Sequence, residues 1–339
     1  MKQYSIINDN DNFIIVNETI DFVLFKSLKK ELYDAKNKID NFINWDYKKK
    51  IFNKYEDVYS NNKKKNICLK NPISRSYFKL CEILQDCNIN YEYANSLSIA
   101  EAPGGFIEYL SEHKLSNNIY ANTLISPFDK YVPNWNYKLL KKHNINFLNE
   151  KNGNIKDINV INYIYKNIND CDLITADGGI DYSSNYNSQE RDSYNLLYSE
   201  VLINLICQKE NGNFIIKFFD IFDISTIKLI YILYLCYEEI ILIKPNTSRP
   251  SNSEKYIICK NYIYNNEIID YMKKQFNTKN LNIKLSNDFI HKIFQYNESF
   301  VINQINNINN IINNNIHNYN NNKYCIDWCK KYNMPYKNI

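Results

Sequence analysis

Glycine is nearly missing from this chain. Of 339 residues six are glycine, seven proline, three methionine and three tryptophan, with only four histidines and three arginines. Long apolar runs are missing too. The longest without a charge, Leu229 to Tyr237, is nine residues, against the ~20 a membrane-spanning helix needs. The opening MKQYSIINDNDNF lacks the apolar segment of a secretory leader, so a secreted or membrane-embedded protein is not expected. The nine cysteines follow no regular framework, and a chain this long needs no covalent staples, so reduced thiols are expected. Cys325 and Cys329 have the spacing of half a zinc site, but His113, His143, His291 and His317 offer no companion pair. No metal is expected.

What is present is skewed in one direction. Asparagine reaches 59 residues, with isoleucine, lysine and tyrosine also heavy. These residues have AT-rich codons, whereas glycine, alanine, proline and most arginine codons are GC-rich. An AT-rich genome is inferred, whose drift removes the second set wherever physics permits. The survivors are therefore informative. Glycine persists where backbone needs positive φ or close approach, and arginine where a planar fork is needed. Gly104, Gly105, Gly153, Gly178, Gly179, Gly212, Arg75, Arg191 and Arg249 all lie between residues 75 and 249, which is where chemistry is expected.

Hydrophobic residues at 45% and aromatic residues at 15% suffice for a core. The length suits one large domain or one domain with appendages. The net charge is +4, yet Lys48 to Lys79 holds ten basic residues against Glu56 and Asp57. Such a concentration suits a phosphate-rich partner, although a merely solvated lysine face is the plainer reading of such a run.

Short apolar runs alternate with longer amphipathic ones from about residue 71 to 265. Strands are expected at 96–100, 119–124, 145–148, 172–176, 213–217, 239–243 and 255–259, and helices at 74–85, 106–113, 136–142, 187–208 and 224–236. This alternation predicts an α/β fold with a mostly parallel seven-stranded sheet, an antiparallel edge hairpin and helices on both faces. Residues 1–70 read as a helix-leaning basic extension, 71–265 as the main domain, and 266–339 as an asparagine-rich extension. In the last, isoleucines 302, 305, 308, 311, 312 and 316 fall near helical spacing. The segment 303–322 is taken as a poor helix of low complexity, carrying no chemistry.

Several motifs stand out. Ser98 to Phe106 reads S-I-A-E-A-P-G-G-F, following a strand and opening a helix. Two glycines there allow a ligand close to backbone, and the helix start offers unpaired N–H groups. Asp172 to Gly179 puts Asp177 at the end of a strand, followed by two glycines, and the next strand ends on Lys217. Ligand sites of open α/β sheets lie at such strand ends. A Pro-bracketed loop, Lys244 to Tyr256, brings Glu254 to the start of the last strand, and Ser74 to Leu80 starts a helix carrying Lys79. Asp181 to Arg191 is polar and aromatic, equally suited to cap the following helix or to meet RNA.

Together these stretches resemble the FtsJ-like family of S-adenosylmethionine-dependent RNA ribose 2′-O-methyltransferases, and within it the cap-specific mRNA enzymes of large DNA viruses. The resemblance covers roughly residues 70–262. It implies a Rossmann-like methyltransferase fold and a catalytic Lys-Asp-Lys-Glu tetrad of Lys79, Asp177, Lys217 and Glu254. It implies S-adenosyl-L-methionine as cofactor, held by Glu101, Ala102, Pro103, Gly104, Gly105 and Phe106 together with Asp177. Asp129, late after the second strand, is the candidate for the donor ribose; Asn154 or Asp157 is the candidate for adenine. Lys79 is expected to lower the pKa of Lys217 so that it acts as a neutral base on a ribose 2′-OH. Asp177 and Glu254 would fix the lysines.

Arg75, Arg191, Arg249, Ser251 and Asn252 are the candidate RNA contacts. The expected substrate is the first transcribed nucleotide of capped mRNA, with other capping or transcription proteins as partners and no membrane. The location is cytoplasmic, meaning host cytoplasm or virion for a viral chain. Rival readings are the same chemistry on ribosomal or transfer RNA, a non-catalytic RNA-binding subunit on this fold, and a small-molecule methyltransferase.

Overall fold

The computed structural model describes residues 3–9, 11–16, 23–60, 62–89, 93–126, 128–148, 150–168, 170–179, 185–314 and 321–338. Strand β1 (Gln3–Ile7) is followed by helices α1 (Val23–Asp40), α2 (Trp45–Ile51) and α3 (Ser76–Asp86). Then come β2 (Tyr93–Ile99), α4 (Gly105–Glu112), β3 (Ser116–Asn122), β4 (Ile145–Phe147), α5 (Ile158–Lys166) and β5 (Cys171–Ala176). The chain continues through α6 (Gln189–Cys207), β6 (Gln208–Phe218), α7 (Ile224–Cys236), β7 (Tyr237–Ile243) and β8 (Lys255–Tyr262). Three helices follow: α8 (Asn266–Gln275), α9 (Asn287–Ile312) and α10 (Asn321–Lys331). Among the described residues no helix is long and apolar enough to cross a membrane.

The strands form one sheet in the order β1-β7-β8-β6-β5-β2-β3-β4. Strands β2 to β6 run parallel, while β8 is antiparallel to both β6 and β7. The winding direction reverses between β2 and β5, which places the ligand-binding crevice of such a sheet over the ends of those two strands. The sheet separates two cores. Phe214, Ile216 and Phe218 of β6 pack with α6 and α7, whereas Ile215, Tyr256 and Ile258 pack with α3 and α4. Strand alternation therefore turns Lys217, between Ile216 and Phe218, towards the α3 side.

Three features depart from the sequence reading. The sheet has eight strands, because Gln3–Ile7 pairs antiparallel with β7 along its whole length. Residues 136–142 form turns closed by i→i+3 bonds, Leu139 to Asn136 and Lys142 to Leu139. Leu139 is the sole buried residue there, so no apolar stripe exists to bury a helix. Instead α5, which the sequence did not announce, forms where Asp157 caps the amide of Asn159 and Val160, Ile161 and Ile164 face inward. The asparagine-rich tail is a regular helix as far as Ile312, held by buried Val301, Gln304, Ile308 and Ile311.

Candidate active site

The site begins with register. Lys217 lies opposite Tyr256 across the β6–β8 pair, and Ala176, just before Asp177, lies beside Ile216. Asp177 and Lys217 thus leave neighbouring parallel strands at one sheet end, and Tyr256 enters from the antiparallel strand at the same end. The Lys217 ammonium donates to the Asp177 carbonyl at 2.8 Å and pairs with its Oδ1 at 3.1 Å. The Tyr256 hydroxyl donates to the same Oδ1 at 2.8 Å.

Glu254, immediately before β8, pairs with Lys79 of α3 through both oxygens, at 2.7 and 2.8 Å. Ser248 Oγ donates to Glu254 Oε1 at 2.7 Å, and Lys244 Nζ to the Glu254 carbonyl at 2.5 Å. All four members of the expected tetrad are therefore together. Their side chains are only 11–13% exposed, open enough to meet a substrate and dry enough for charge to matter.

The electrostatics correct one expectation. Lys79 is paired with Glu254, and the Lys217 pKa is not lowered as the sequence reading supposed. Burial works against charge on Lys217, but Asp177 and Glu254, with help from Glu200, outweigh it and hold its pKa above the ordinary lysine value. Lys217 is an ammonium in the free protein. Burial opposes the charge on Glu254 as well, yet Lys79, Lys217 and Lys244 bring its pKa down to about 2.

Glu200 of α6 was not singled out from sequence. It is fully buried behind the pair, where burial raises its pKa to about 8 despite the pull of Lys217, and its Oε1 finds no partner among the described residues. Gly178 is what makes room for it, since a Cβ there would lie 2.2 Å from that oxygen. The only signal was an acid in an otherwise closing apolar stretch of a long helix.

Two further acids, neither of them expected to matter, set the site's frame. Glu82, one turn after Lys79 on α3, is buried and accepts from the Asn246 amide at 2.6 Å and from Thr247 N and Oγ1 at 2.8 and 2.6 Å. The helix that presents Lys79 thus also pins the loop that presents Glu254. Glu56 collects two of the three arginines: Arg75 Nη2 at 2.9 Å, and Arg249 through Nε at 3.0 Å and Nη2 at 2.8 Å. Arg75 also donates to the carbonyls of Tyr59 and Thr247. The planar forks survive here as internal struts; Arg75 is spent on them, while Arg249 stays partly exposed at 28%.

The loop before α4 is built differently from expectation. Glu101 turns inward, its Oε1 accepting from the Phe106 amide at 2.8 Å, so the acid itself occupies the helix start that was expected to be open. Ala102–Pro103 is a cis peptide, and Gly104 takes φ 110°. A Cβ on Gly105 would lie 2.1 Å from the hydroxyls of Ser74 and Ser76. The second glycine thus lets α4 approach the start of α3, and the Phe106 side chain belongs to the core beside Tyr256. Asp129 lies in the exposed turn after β3, accepting from the Tyr131 amide. Asn154 accepts from Lys156, and Asp157 caps α5. Gly153 packs this turn on β3, for a Cβ there would lie 2.0 Å from the Thr123 carbonyl.

The terminal extensions complete the site. Lys36 of α1 forms a buried pair with Asp220 at 2.6 Å, and Tyr33 donates to the Asn187 carbonyl at 2.7 Å. From α9, Asn297 donates to the Ile221 carbonyl at 2.6 Å, and Gln304 to Ser251 O and Ser253 Oγ, both at 3.2 Å. A cleft of about 160 Å³ opens beside Glu254 between these parts. Trp45, Tyr186 and Phe219 line it, with Lys49, Arg249, Ser251 and Asn252. Arg191 stands apart, 79% exposed beside Asp192. Of the polar stretch that precedes it, residues 181–184 lie outside the described residues.

The chain is similar to known methyltransferases. The profile of the FtsJ-like methyltransferases matches residues 72–262, more than half of the chain and spanning all four tetrad positions. A protein of Autographa californica nuclear polyhedrosis virus named cap-specific mRNA (nucleoside-2′-O-)-methyltransferase is 32% identical over 219 residues. The match covers 63% of this chain and 82% of that protein. A Caenorhabditis briggsae protein named inactive cap-specific mRNA (nucleoside-2′-O-)-methyltransferase 1B is 31% identical over 170 residues, covering 48% of this chain but 20% of its own. The chain thus spans only about a fifth of that nematode relative. A solved ribosomal RNA methyltransferase from Plasmodium falciparum aligns at 21% identity with a TM-score of 0.43, over 57% of this chain and 99% of its own. With the profile running from just before α3 to the end of β8, the chain belongs to the FtsJ-like methyltransferase family.

Proposed function

We propose that the chain transfers a methyl group from S-adenosylmethionine to a ribose 2′-oxygen of RNA, at the first transcribed nucleotide of capped mRNA. The observation that carries this reading is the pair of linked ion pairs, Lys79–Glu254 and Lys217–Asp177, at the sheet end where winding reverses. A ribose hydroxyl is a very weak acid, so the site must orient its oxygen and take or offset its proton. Lys217 and Lys79 present two cations to that oxygen, while Asp177 and Glu254 hold them at fixed positions. Tyr256 and Ser248 hold the carboxylates in turn.

The residues present fit the donor. The ends of β2 and β5 lie side by side, Ile99 next to Ala176, so the donor would lie between the tightly turned Glu101–Gly105 and Asp177–Gly178. At the end of β3 the buried Asn122 Oδ1 has no partner among the described residues, which leaves an acceptor for a nucleoside. When bound, the donor supplies an electrophilic sulfonium methyl. Asp177 sits where it can approach the donor as well as Lys217, and the backbone from Ala102 to Gly105 forms the wall. Asn154, Asp157 and Asp129 belong to the loops that flank the β3 end and would face the adenosine.

The cap-specific substrate is supported by the viral relative's name, by its coverage, and by the cleft of Trp45, Tyr186 and Phe219 beside Glu254. Flat rings next to cations suit a stacked, phosphate-linked base. One nematode relative is named inactive, so likeness alone does not separate catalyst from binding subunit; the intact tetrad favours catalysis. Capping or transcription proteins remain the proposed partners, and cytoplasm or virion the proposed location.

The test is methyl transfer from labelled donor to matched capped and uncapped RNAs, with digestion to locate the label. Label on the first 2′-oxygen only in capped RNA is the expected result; label in uncapped or internal positions moves the substrate to ribosomal or transfer RNA. Lys217→Ala should lower turnover by at least ~10²-fold while leaving donor binding intact. Retained turnover would sink the assignment.

A further inference from the structure

A second, larger cleft lies outside the tetrad, on the far side of the loop that carries Glu254. It measures about 560 Å³, well within the ~300–1,000 Å³ range of ligand sites. Its walls are residues 52–55 ahead of α3, the 244–250 stretch of the loop, and one face of α9. The lining has an unusual chemistry: six asparagines, two lysines, three aromatic rings and no carboxylate.

The asparagines of α9 make the point more sharply. Asn303, Asn306, Asn307 and Asn310 all line the cleft, and they are spaced i, i+3, i+4 and i+7, a single stripe of the helix. Val301, Gln304, Ile308 and Ile311 face the core instead. Drift towards AT-rich codons explains why asparagine is common, but it favours lysine, isoleucine and tyrosine equally and does not by itself draw a stripe. Asparagine is a poor helix former, costing about half a kcal/mol per residue against alanine, so packing of the opposite face sustains this helix.

We propose that this cleft is a track for single-stranded RNA flanking the methylated nucleotide, with the asparagine-rich face of α9 as one of its walls. A side-chain amide both donates and accepts, so a row of them meets any base edge without demanding a sequence. Phe52 and Tyr55, both partly exposed, offer ring faces, and Lys54 offers charge to the backbone. The cleft shares a wall with the loop that carries Glu254. Ser248, in its wall, donates to Glu254 Oε1, and Lys244 donates to the Glu254 carbonyl. A strand leaving the site across this loop enters it directly.

The inference rests on the RNA methyltransferase reading, and its test separates the two. Asn303 and Asn306 are exposed, so Asn303→Asp with Asn306→Asp brings carboxylates into an acid-free wall without touching the core. RNA affinity would be measured by fluorescence anisotropy over a series of lengths, alongside methyl transfer and thermal melting. The wild type should bind longer RNA more tightly. The double variant should lose that gain, with KM for RNA rising on the order of tenfold, and kcat, donor affinity and melting temperature unchanged. Asn303→Ala with Asn306→Ala should show the same pattern, weaker. Affinity equal to wild type at every length would overturn the proposal. Because binding is read apart from turnover, a wild type that binds RNA through this cleft but transfers no methyl group would refute the reading of the tetrad and leave the track standing.

Discussion

Lys217 is the residue on which the chemistry turns, and its surroundings hold it charged. Asp177 and Glu254 outweigh the burial that would otherwise strip its proton. A base must first give up that proton, so the raised pKa predicts a rate that climbs with pH. For free enzyme and RNA, kcat/KM should rise throughout about pH 6 to pH 9 without levelling. A plateau near neutrality would mean that Lys217 is already neutral, as a lowered pKa would require; a flat profile would leave it an orienting cation. Asp177→Asn sharpens the test. It removes the first of the charges that raise the Lys217 pKa, so the rising limb should move to lower pH even as the maximal rate falls. A limb that stays in place would show that some other group titrates.

At the scale of elements, the site is a set of loops clamped from below and behind. Helix α3 presents Lys79 and, one turn on, uses Glu82 to fix the loop of Glu254. Helix α9 does the same from the other side through Gln304, whose amide holds Ser251 and Ser253. Gln304→Ala leaves the buried Ser251 carbonyl without its partner, at a cost of about 1–3 kcal/mol. It should also lower kcat on the order of tenfold, since Glu254 follows Ser253 and misplacement is expensive. A variant that melts earlier yet turns over normally would make Gln304 purely structural.

The same elements mark what was legible. Strand–helix alternation, the paired glycines and the isolated Asp177, Lys217 and Glu254 were readable, because parallel strands are continuous apolar runs with their charges at the ends. What was not readable was contact between distant segments. Nothing in the local pattern says that Gln3–Ile7 joins β7, that Glu56 holds both Arg75 and Arg249, or that Glu200 backs the Lys217 pair. A nine-residue helix such as α5 lacks the length for its period to show. The tail's interleaved isoleucines did show a helix, and its asparagines hid the buried Gln304 among residues judged to carry no chemistry.

Across the whole molecule the charge is +4, and the basic segment 48–79 appeared to offer ten cations to phosphate. Folding withdraws several of them. Lys79 pairs with Glu254, Arg75 with Glu56, Lys49 with Asp46 and Lys70 with Glu112. At most six of the ten remain to meet RNA, and Lys63, Lys64 and Lys65 form the most exposed group among them. Each phosphate neutralised on a single strand contributes about −0.7 to the slope of log affinity against log salt. The segment should therefore contribute no more than about −4, where ten free cations would contribute about −7. Replacing Lys63, Lys64 and Lys65 by glutamine should flatten the slope by about 2, with the melting temperature little changed because all three are exposed. An unaltered slope in that variant would remove the turn from the binding surface and leave the clefts on either side of the Glu254 loop as the principal contact with RNA.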